Sequence, residues 1–243
     1  MTALSLPGVA IERVAEIDST NSELMRRARA GRLEAVLLLA QHQTAGRGRL
    51  GRDWASEAGA SLTFSLGLPL APADWGGLSL AVGVSLAECL HPRVRLKWPN
   101  DLWLDDRKLG GILIETATSS DVAATSRRYA VIGVGINIGP REAQGMSVPP
   151  AWLGELVPGI TAEEALLEIA QPLVATVQAF ESFGFTPFQA RFHARDALRD
   201  RIVQLSDGTR GSAHGVSERG SLLVHTAAGM QVVTSSEVSV RPV

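Results

Sequence analysis

Cysteine is almost absent: Cys89 is the one thiol in 243 residues. A single thiol excludes an internal disulfide framework or a cysteine metal site, and such usage fits a reducing cytoplasm, the expected location. Net charge is also lacking. Lys and Arg total 23 against 25 Asp and Glu, a formal −2, so no global field draws the chain to nucleic acid or a membrane. No apolar run approaches the ~20 residues needed to span a bilayer. The opening MTALSLPGVAIERVAE has neither the basic region nor the long apolar region of a signal peptide. Histidines at 42, 91, 193, 214 and 225 are scattered, and none are paired at i, i+4, so a zinc site is not expected.

What is present is ordinary for a globular protein: 45% apolar and 20% charged residues. The length suffices for one large domain, or one domain with a small satellite. DSTNSELMRRARAGRLE predicts a helix, with Thr20 and Glu23 at capping-box spacing and Gly31 as its stop. EAVLLLAQHQ and SLTFSLGLPL predict strands, and DWGGLSLAVGVSLAECL predicts a buried helix. RVRLKWPNDLWLDDRKLGGILIET predicts two strands joined by a turn at Leu104 to Arg107. RRYAVIGVGINIG predicts a strand whose glycines let something approach the backbone closely, followed by a Pro/Gly-rich loop over 140–159. TAEEALLEIAQPLVATVQAFESF predicts a helix opened by a second capping box, Thr161 and Glu164, and kinked or split at Pro172. TPFQARFHARDAL predicts one more short helix.

After Leu198 the texture changes to short strands with turn signals at Asp207-Gly208, Glu218-Arg219-Gly220 and Ala228-Gly229. This pattern predicts a small SH3-like barrel over 198–243, appended to a main domain over 1–197.

The densest chemistry is QTAGRGRLGRDW, Gln43 to Trp54, with three glycines and three arginines in the seven residues from Gly46 to Arg52. Its glycines spell G-x-G-x-x-G. A dinucleotide fingerprint, however, needs a helix to follow, and RDWASEAGASLTFSLGL resumes as a strand. A solvated basic or RNA-binding segment would carry repeats or interleaved aromatics in a basic domain. The remaining reading is a mobile loop that folds over a small polyanion, bringing backbone N–H groups and forked guanidinium donors to its oxygens. That reading requires further polar groups elsewhere. KWPNDLW supplies Lys97, Asn100 and Asp101 around a proline turn, RKLGGILIE supplies Lys108 before Gly110-Gly111, and GVGINIG supplies Asn137. Each alone has an ordinary explanation: a hairpin lysine, or an asparagine satisfied by neighbouring backbone.

Taken together, STN at Ser19 to Asn21, QTAGRGRLGRDW, KWPNDLW, KLGGILIE and GVGINI resemble the biotin protein ligases, in that family's order and spacing and over nearly the whole chain. The resemblance implies an α+β fold with a mixed sheet like that of class II aminoacyl-tRNA synthetases, plus the SH3-like C-terminal domain. It implies that biotin and ATP, with Mg²⁺, give biotinyl-5′-AMP, and that the biotinyl group passes to a lysine of a biotin carboxyl carrier protein or carboxylase domain. By motif position it implies Lys108, Arg47 and Arg49 as catalytic groups. Ser19, Thr20, Asn21, Gln43, Gly46, Arg47, Gly48, Arg49, Lys108 and Gly111 fall on the biotin site. Arg47, Arg49, Arg52, Trp54, Lys97, Asn100, Asp101, Lys108 and Asn137 fall on the ATP and adenylate site, with Asp101 positioning either a lysine or Mg²⁺.

Two departures qualify the resemblance. Leu50 stands where many relatives carry another arginine, so no role rests on that position. Only about eighteen residues precede Ser19, too few for a helix-turn-helix. The expectation is therefore an enzyme-only form that binds neither DNA nor membrane, as a monomer or weak homodimer. A lipoate or octanoate ligase on the same scaffold, and a non-enzymatic binder of biotinyl-AMP, are the competing readings.

Overall fold

The computed structural model describes residues 4–117, 127–140, 149–234 and 240–242. Part of the expected loop over 140–159 lies outside them. The chain forms two compact units, Met1–Ala71 with Arg107–Pro172, and Pro72–Asp106 with Leu173–Val243.

The first unit is built on strands β1 (Ala10–Ile17), β2 (Val36–Gln43), β3 (Ser61–Leu70), β6 (Arg107–Ala117) and β7 (Arg128–Asn137). They lie in the order β1-β2-β3-β7-β6, with β1 parallel to β2 and the other pairs antiparallel. Side chains alternate faces along a strand. Leu62, Phe64, Leu66 and Leu68 of β3 share one face with Ala130, Ile132, Val134 and Ile136 of β7, and all are buried. On the other face, helix α1 (Thr20–Arg29) packs Leu24, Met25 and Ala28 against Val36, Leu38, Tyr129 and Val131. Gly67 is needed beneath Tyr129, because a Cβ there would overlap the phenol hydroxyl.

The caps correct one expectation and meet another. Helix α1 is capped by Ser19, whose Oγ accepts from Ser22 N, rather than by Thr20. The Thr20 hydroxyl is turned inward to Gln43 and Ser65, so it is not at the cap. Glu23 holds Arg26 and Arg27 instead of closing a box. At Thr161 the box does form: Glu164 accepts from Thr161 N at 2.9 Å, and Glu164 N donates to Thr161 Oγ1 at 3.2 Å. The helix it opens, α3 (Ala162–Phe183), runs unbroken through Pro172.

Asp18, just before α1, receives two N–H bonds from Arg26 at 2.7 and 2.9 Å. That guanidinium holds its carboxyl at about 2, below the ordinary 3.8. The folded value is the lower one, so the contribution is complete above about pH 4 and is lost as pH falls towards 2. Thermal melts of wild type and Arg26→Ala between pH 5 and 2 should converge as pH falls. Parallel curves would contradict this linkage.

The second unit holds helix α2 (Leu78–Leu90), which is largely apolar and buried along most of its length, with Glu88 exposed near its end. Its Gly77 start takes positive φ, and a Cβ there would stand 2.7 Å from Phe185 Cβ. KWPNDLW forms β4 (Arg95–Lys97), a tight turn and β5 (Asp101–Leu104). The expected two strands over 93–116 are therefore three, because Trp98–Asn100 turns the chain. The expected turn before Arg107 does form, with Asp105 and Asp106 both at positive φ. Trp98 is fully buried, and its Nε1 donates to Gly220 O at 3.0 Å. Helix α4 (Thr186–His193) precedes strands β8 (Ile202–Leu205), β9 (Arg210–Val216), β10 (Leu222–Thr226), β11 (Gly229–Val233) and β12 (Val240–Pro242). These five make an antiparallel, SH3-like sheet in the order β11-β10-β9-β8-β12. Gly208, Gly220 and Gly229 take positive φ at the three expected turns.

Candidate active site

The face of the first unit's sheet that carries α1 loses its side chains toward the C-terminal end of β7. Val131 is followed on that face by Gly133, Gly135 and then Asn137. Opposite them stand Ser65, Thr63 and Ser61 of β3, and Leu113 and Gly111 of β6. Gly111 faces Gly135 directly. The strands therefore present nearly bare backbone rimmed by small hydroxyls. The glycines are required: a Cβ on Gly133 would overlap Asn21 Oδ1, and one on Gly135 would lie 2.6 Å from Trp54 Cζ2.

A buried polar chain borders this floor. Thr20 N donates to Gln43 Oε1 at 2.8 Å, and Thr20 Oγ1 lies 3.1 Å from the same oxygen. A backbone N–H can only donate, so the Gln43 carbonyl faces α1 and its NH₂ faces the loop at Gly46. Ser65 Oγ donates to Asn21 Oδ1 at 2.6 Å and lies 2.7 Å from Thr20 Oγ1. Asn21 Nδ2 in turn donates to Leu113 O and to Glu115 Oε2. Thr20, Asn21, Gln43 and Ser65 are all buried, so every group is aimed by a partner. Ser19, the cap residue, is buried beside them.

The Arg/Gly stretch closes on itself. Trp54 N donates to Gly46 O at 2.9 Å, Gly48 N to Arg52 O at 2.7 Å, and Arg52 N to Arg49 O at 3.2 Å. Gly46 allows this because a Cβ there would overlap Trp54 O. Arg49 opens a 3₁₀ turn, and the exposed Leu50 within it takes φ 56°. Arg47 reaches back to Glu115, with Nη2 2.9 Å from Oε1, and to Ser22 Oγ. Trp54 lies over Gly135, and Lys108 Nζ stands 5.7 Å from the Trp54 ring centroid, a cation–π arrangement. Asn137 Nδ2 donates to Lys108 O at 3.3 Å and Ala151 O at 2.9 Å, and Ala151 N donates to Lys108 O. Asn137 therefore fixes the backbone at Lys108. Next to it, Arg107 forms a two-bond ion pair with Glu155.

Of the residues singled out from sequence, Ser19, Thr20, Asn21, Gln43, Gly46, Arg47, Gly48, Arg49, Arg52, Trp54, Lys108, Gly111 and Asn137 all belong to the first unit. Lys97, Asn100 and Asp101 form a separate group around the β4–β5 turn. There Lys97 Nζ lies 3.9 Å from Asp101 Oδ2 and 5.1 Å from the Trp103 ring centroid. Sequence reading missed two participants. Ser65 is one of three hydroxyl residues alternating along SLTFSLGL, with Ser61 and Thr63, and nothing in that pattern singles it out. Glu115 closes the KLGGILIE motif but received no role.

Residues 13–137 match the family model described as the biotin/lipoate A/B protein ligase family, and residues 201–241 match the biotin protein ligase C terminal domain. The bifunctional ligase/repressor BirA of Salmonella typhimurium is 37% identical, covering 93% of this chain and 72% of its own. A biotin–[acetyl-CoA-carboxylase] ligase of Mycobacterium tuberculosis is 31% identical, covering 94% and 88%. The solved biotin protein ligase from Aquifex aeolicus in complex with biotin and ATP superposes with a TM-score of 0.79 at 29% identity, over 96% of this chain and 99% of that one.

Proposed function

The chain belongs to the biotin/lipoate A/B protein ligase family, and we propose that it is an ATP-dependent, AMP-forming biotin protein ligase. The observation that carries this reading is the buried Gln43–Thr20–Ser65–Asn21 chain beside a glycine floor, with Lys108 and Trp54 next to it. Fixed amide and hydroxyl groups suit a flat, uncharged ureido ring, and bare strands leave room for it. The C-terminal match, to the domain described as the biotin protein ligase C terminal domain, favours biotin over lipoate.

In the first half-step a biotin carboxylate oxygen bonds the α-phosphorus of ATP, and the bond to the β-phosphate oxygen breaks. Both reactants are anions, so cations must offset their repulsion and stabilise charge building on the α-phosphate. Lys108, Arg47 and Arg49 serve here. No general base is needed, because the nucleophile is already ionised. Asp101 would position a lysine or hold Mg²⁺, which would supply charge neutralisation for the departing pyrophosphate. Arg52, Trp54 and Asn137 complete the nucleotide side, and a nucleotide role for Lys97 and Asn100 rests on motif position alone. Asn137 acts at least in part through the Lys108 backbone that it holds.

In the second half-step a deprotonated carrier lysine attacks the acyl carbon, an amide forms and AMP leaves. This step needs proximity above all. The mixed anhydride hydrolyses readily, so the Gly46 to Trp54 loop covers it until the carrier arrives. The carrier is a biotin carboxyl carrier protein or domain of a carboxylase. The working form is a cytoplasmic monomer or weak homodimer, with catalysis in 1–197 and the SH3-like domain in 198–243. No described helix is long and apolar enough to cross a membrane.

One assay separates the readings. The protein is incubated with ATP and biotin, lipoate or octanoate, pyrophosphate is measured, and a biotin carrier domain is then added. Biotin-dependent pyrophosphate release followed by a labelled carrier lysine is expected. Release with lipoate or octanoate alone would reassign the substrate, and binding of biotinyl-AMP without turnover would make the protein a non-enzymatic binder.

A further inference from the structure

We infer that Glu115 is a positioning residue for the adenylation site, tying the Arg47 loop to the Asn21 end of α1 through the two oxygens of one carboxylate. This inference rests on the biotin and phosphate roles proposed above for Asn21 and Arg47. Glu115 lies on β6, on the face that carries Gly111, opposite Val131 of β7. Its Oε2 accepts from Asn21 Nδ2 at 3.0 Å, and its Oε1 accepts from Arg47 Nη2 at 2.9 Å, with Arg47 Nη1 3.4 Å from Oε2.

The position does not call for charge on packing grounds. Val131 opposite it belongs to the apolar cluster under α1, and a β-branched residue would cover that surface without the cost of partly desolvating a carboxylate. What the carboxylate does is hold two donors at once. Its side chain is 22% exposed, while that of Arg47 is 47% exposed. The more buried member is on the strand, and the more exposed member is on the loop. Ordering Arg47 before the nucleotide arrives removes part of the side-chain entropy cost of binding. On its other side Glu115 accepts from Asn21 Nδ2 while Oδ1 takes the Ser65 hydroxyl, so the amide has one orientation. Glu115 thereby links the two halves of the ligand site: the biotin-side amide on Oε2, and the phosphate-side guanidinium mainly on Oε1 with a longer contact to Oε2.

Two substitutions separate the two ties. Glu115→Gln keeps a carbonyl for Asn21 but removes the charge that holds Arg47. Glu115→Leu fills the volume and removes both. Biotin affinity by titration calorimetry should fall about five- to tenfold in Glu115→Leu and stay within about twofold of wild type in Glu115→Gln. Tryptic cleavage at Arg47, Arg49 and Arg52 without ligands should be faster in both variants. Raising salt should speed cleavage of wild type but not of Glu115→Gln, since the tie is a partly exposed ion pair.

Wild-type cleavage rates in Glu115→Gln at low salt would overturn the loop tie. Wild-type biotin affinity in Glu115→Leu would overturn the Asn21 tie. Should Glu115→Leu fail to fold, judged by its thermal melt, Glu115→Ala carries the biotin arm and Glu115→Gln still decides the loop arm. The cleavage arm needs no turnover. A wild-type protein with salt-sensitive loop protection but no biotin binding would keep the loop tie while refuting the proposed function.

Discussion

Lys108→Ala should slow pyrophosphate release about a hundred- to a thousandfold, the loss of ~2.7–4 kcal/mol that follows removal of one preorganised donor at a developing charge. The loss should be local. The backbone at Lys108 is held independently of its side chain, by Asn137 Nδ2 and Ala151 N on its carbonyl oxygen. The strand will therefore stay in place when the ammonium is gone. Trp54 loses a cation near its ring but keeps its seat on Gly135. Biotin affinity should change far less than the rate, since the buried Gln43–Thr20–Ser65–Asn21 chain does not include Lys108. Rapid-quench measurement of biotinyl-AMP formation at saturating biotin and ATP reads the effect directly. An unchanged single-turnover rate would remove Lys108 from the mechanism. Lys108→Arg should recover only part of the rate, because a planar fork does not replace a compact point charge.

The second large effect concerns two glycines on one strand, which should fail in different ways. Gly133→Ala pushes a methyl into Asn21, whose Cγ would lie 2.8 Å away. Asn21 cannot yield easily, being held by Leu113 O, Glu115 and Ser65. Overpacking of this kind costs about 1–3 kcal/mol, so both the melting temperature and biotin affinity should fall, the latter about tenfold or more. Gly135→Ala meets the Trp54 ring instead. Trp54 belongs to the Arg/Gly loop rather than to the sheet, and the expectation is that this loop lifts. Stability and biotin affinity should then hold, while biotinyl-AMP dissociates at least about tenfold faster. Melts, biotin titrations and adenylate release rates for both variants test the contrast. Equal losses of biotin affinity in the two would show that the floor does not divide into a biotin end and an adenylate end.

The elements best read from sequence were those with strong local chemistry. Thr161 and Glu164 have a capping box and form one. Asp207-Gly208 and Ala228-Gly229 have turn chemistry, and their glycines take positive φ. Where tertiary partners decide, local sequence is a poorer guide. Thr20 has the chemistry of a cap, but its hydroxyl serves Gln43 and Ser65, so Ser19 caps α1. AIERVAEI was given no strand, yet it pairs in parallel with β2, a partner that local sequence does not reveal. Pro172 does not divide its helix in two, since α3 continues through it. In the candidate site, motif residues were legible because their types are unusual in their settings: arginines among glycines, an amide in an apolar strand. Ser65 and Glu115 were not. Their roles come from which strand lies beside which, and register across β3, β7 and β6 is a property of the fold.

Gly111 and Gly135 face one another on adjacent strands, with Gly133 two residues along. Glycine has no smaller substitute, so at these three positions mutation can only fill space. The floor is therefore already at its widest, and acceptance of a bulkier acid cannot be engineered there. A search for altered substrate range belongs on the movable or polar rim instead, at Gln43, Ser65 and the Arg47 loop, where a side chain can be shortened or swung away. The same asymmetry gives natural variation on β6 and β7 one direction: toward a narrower and more exclusive site.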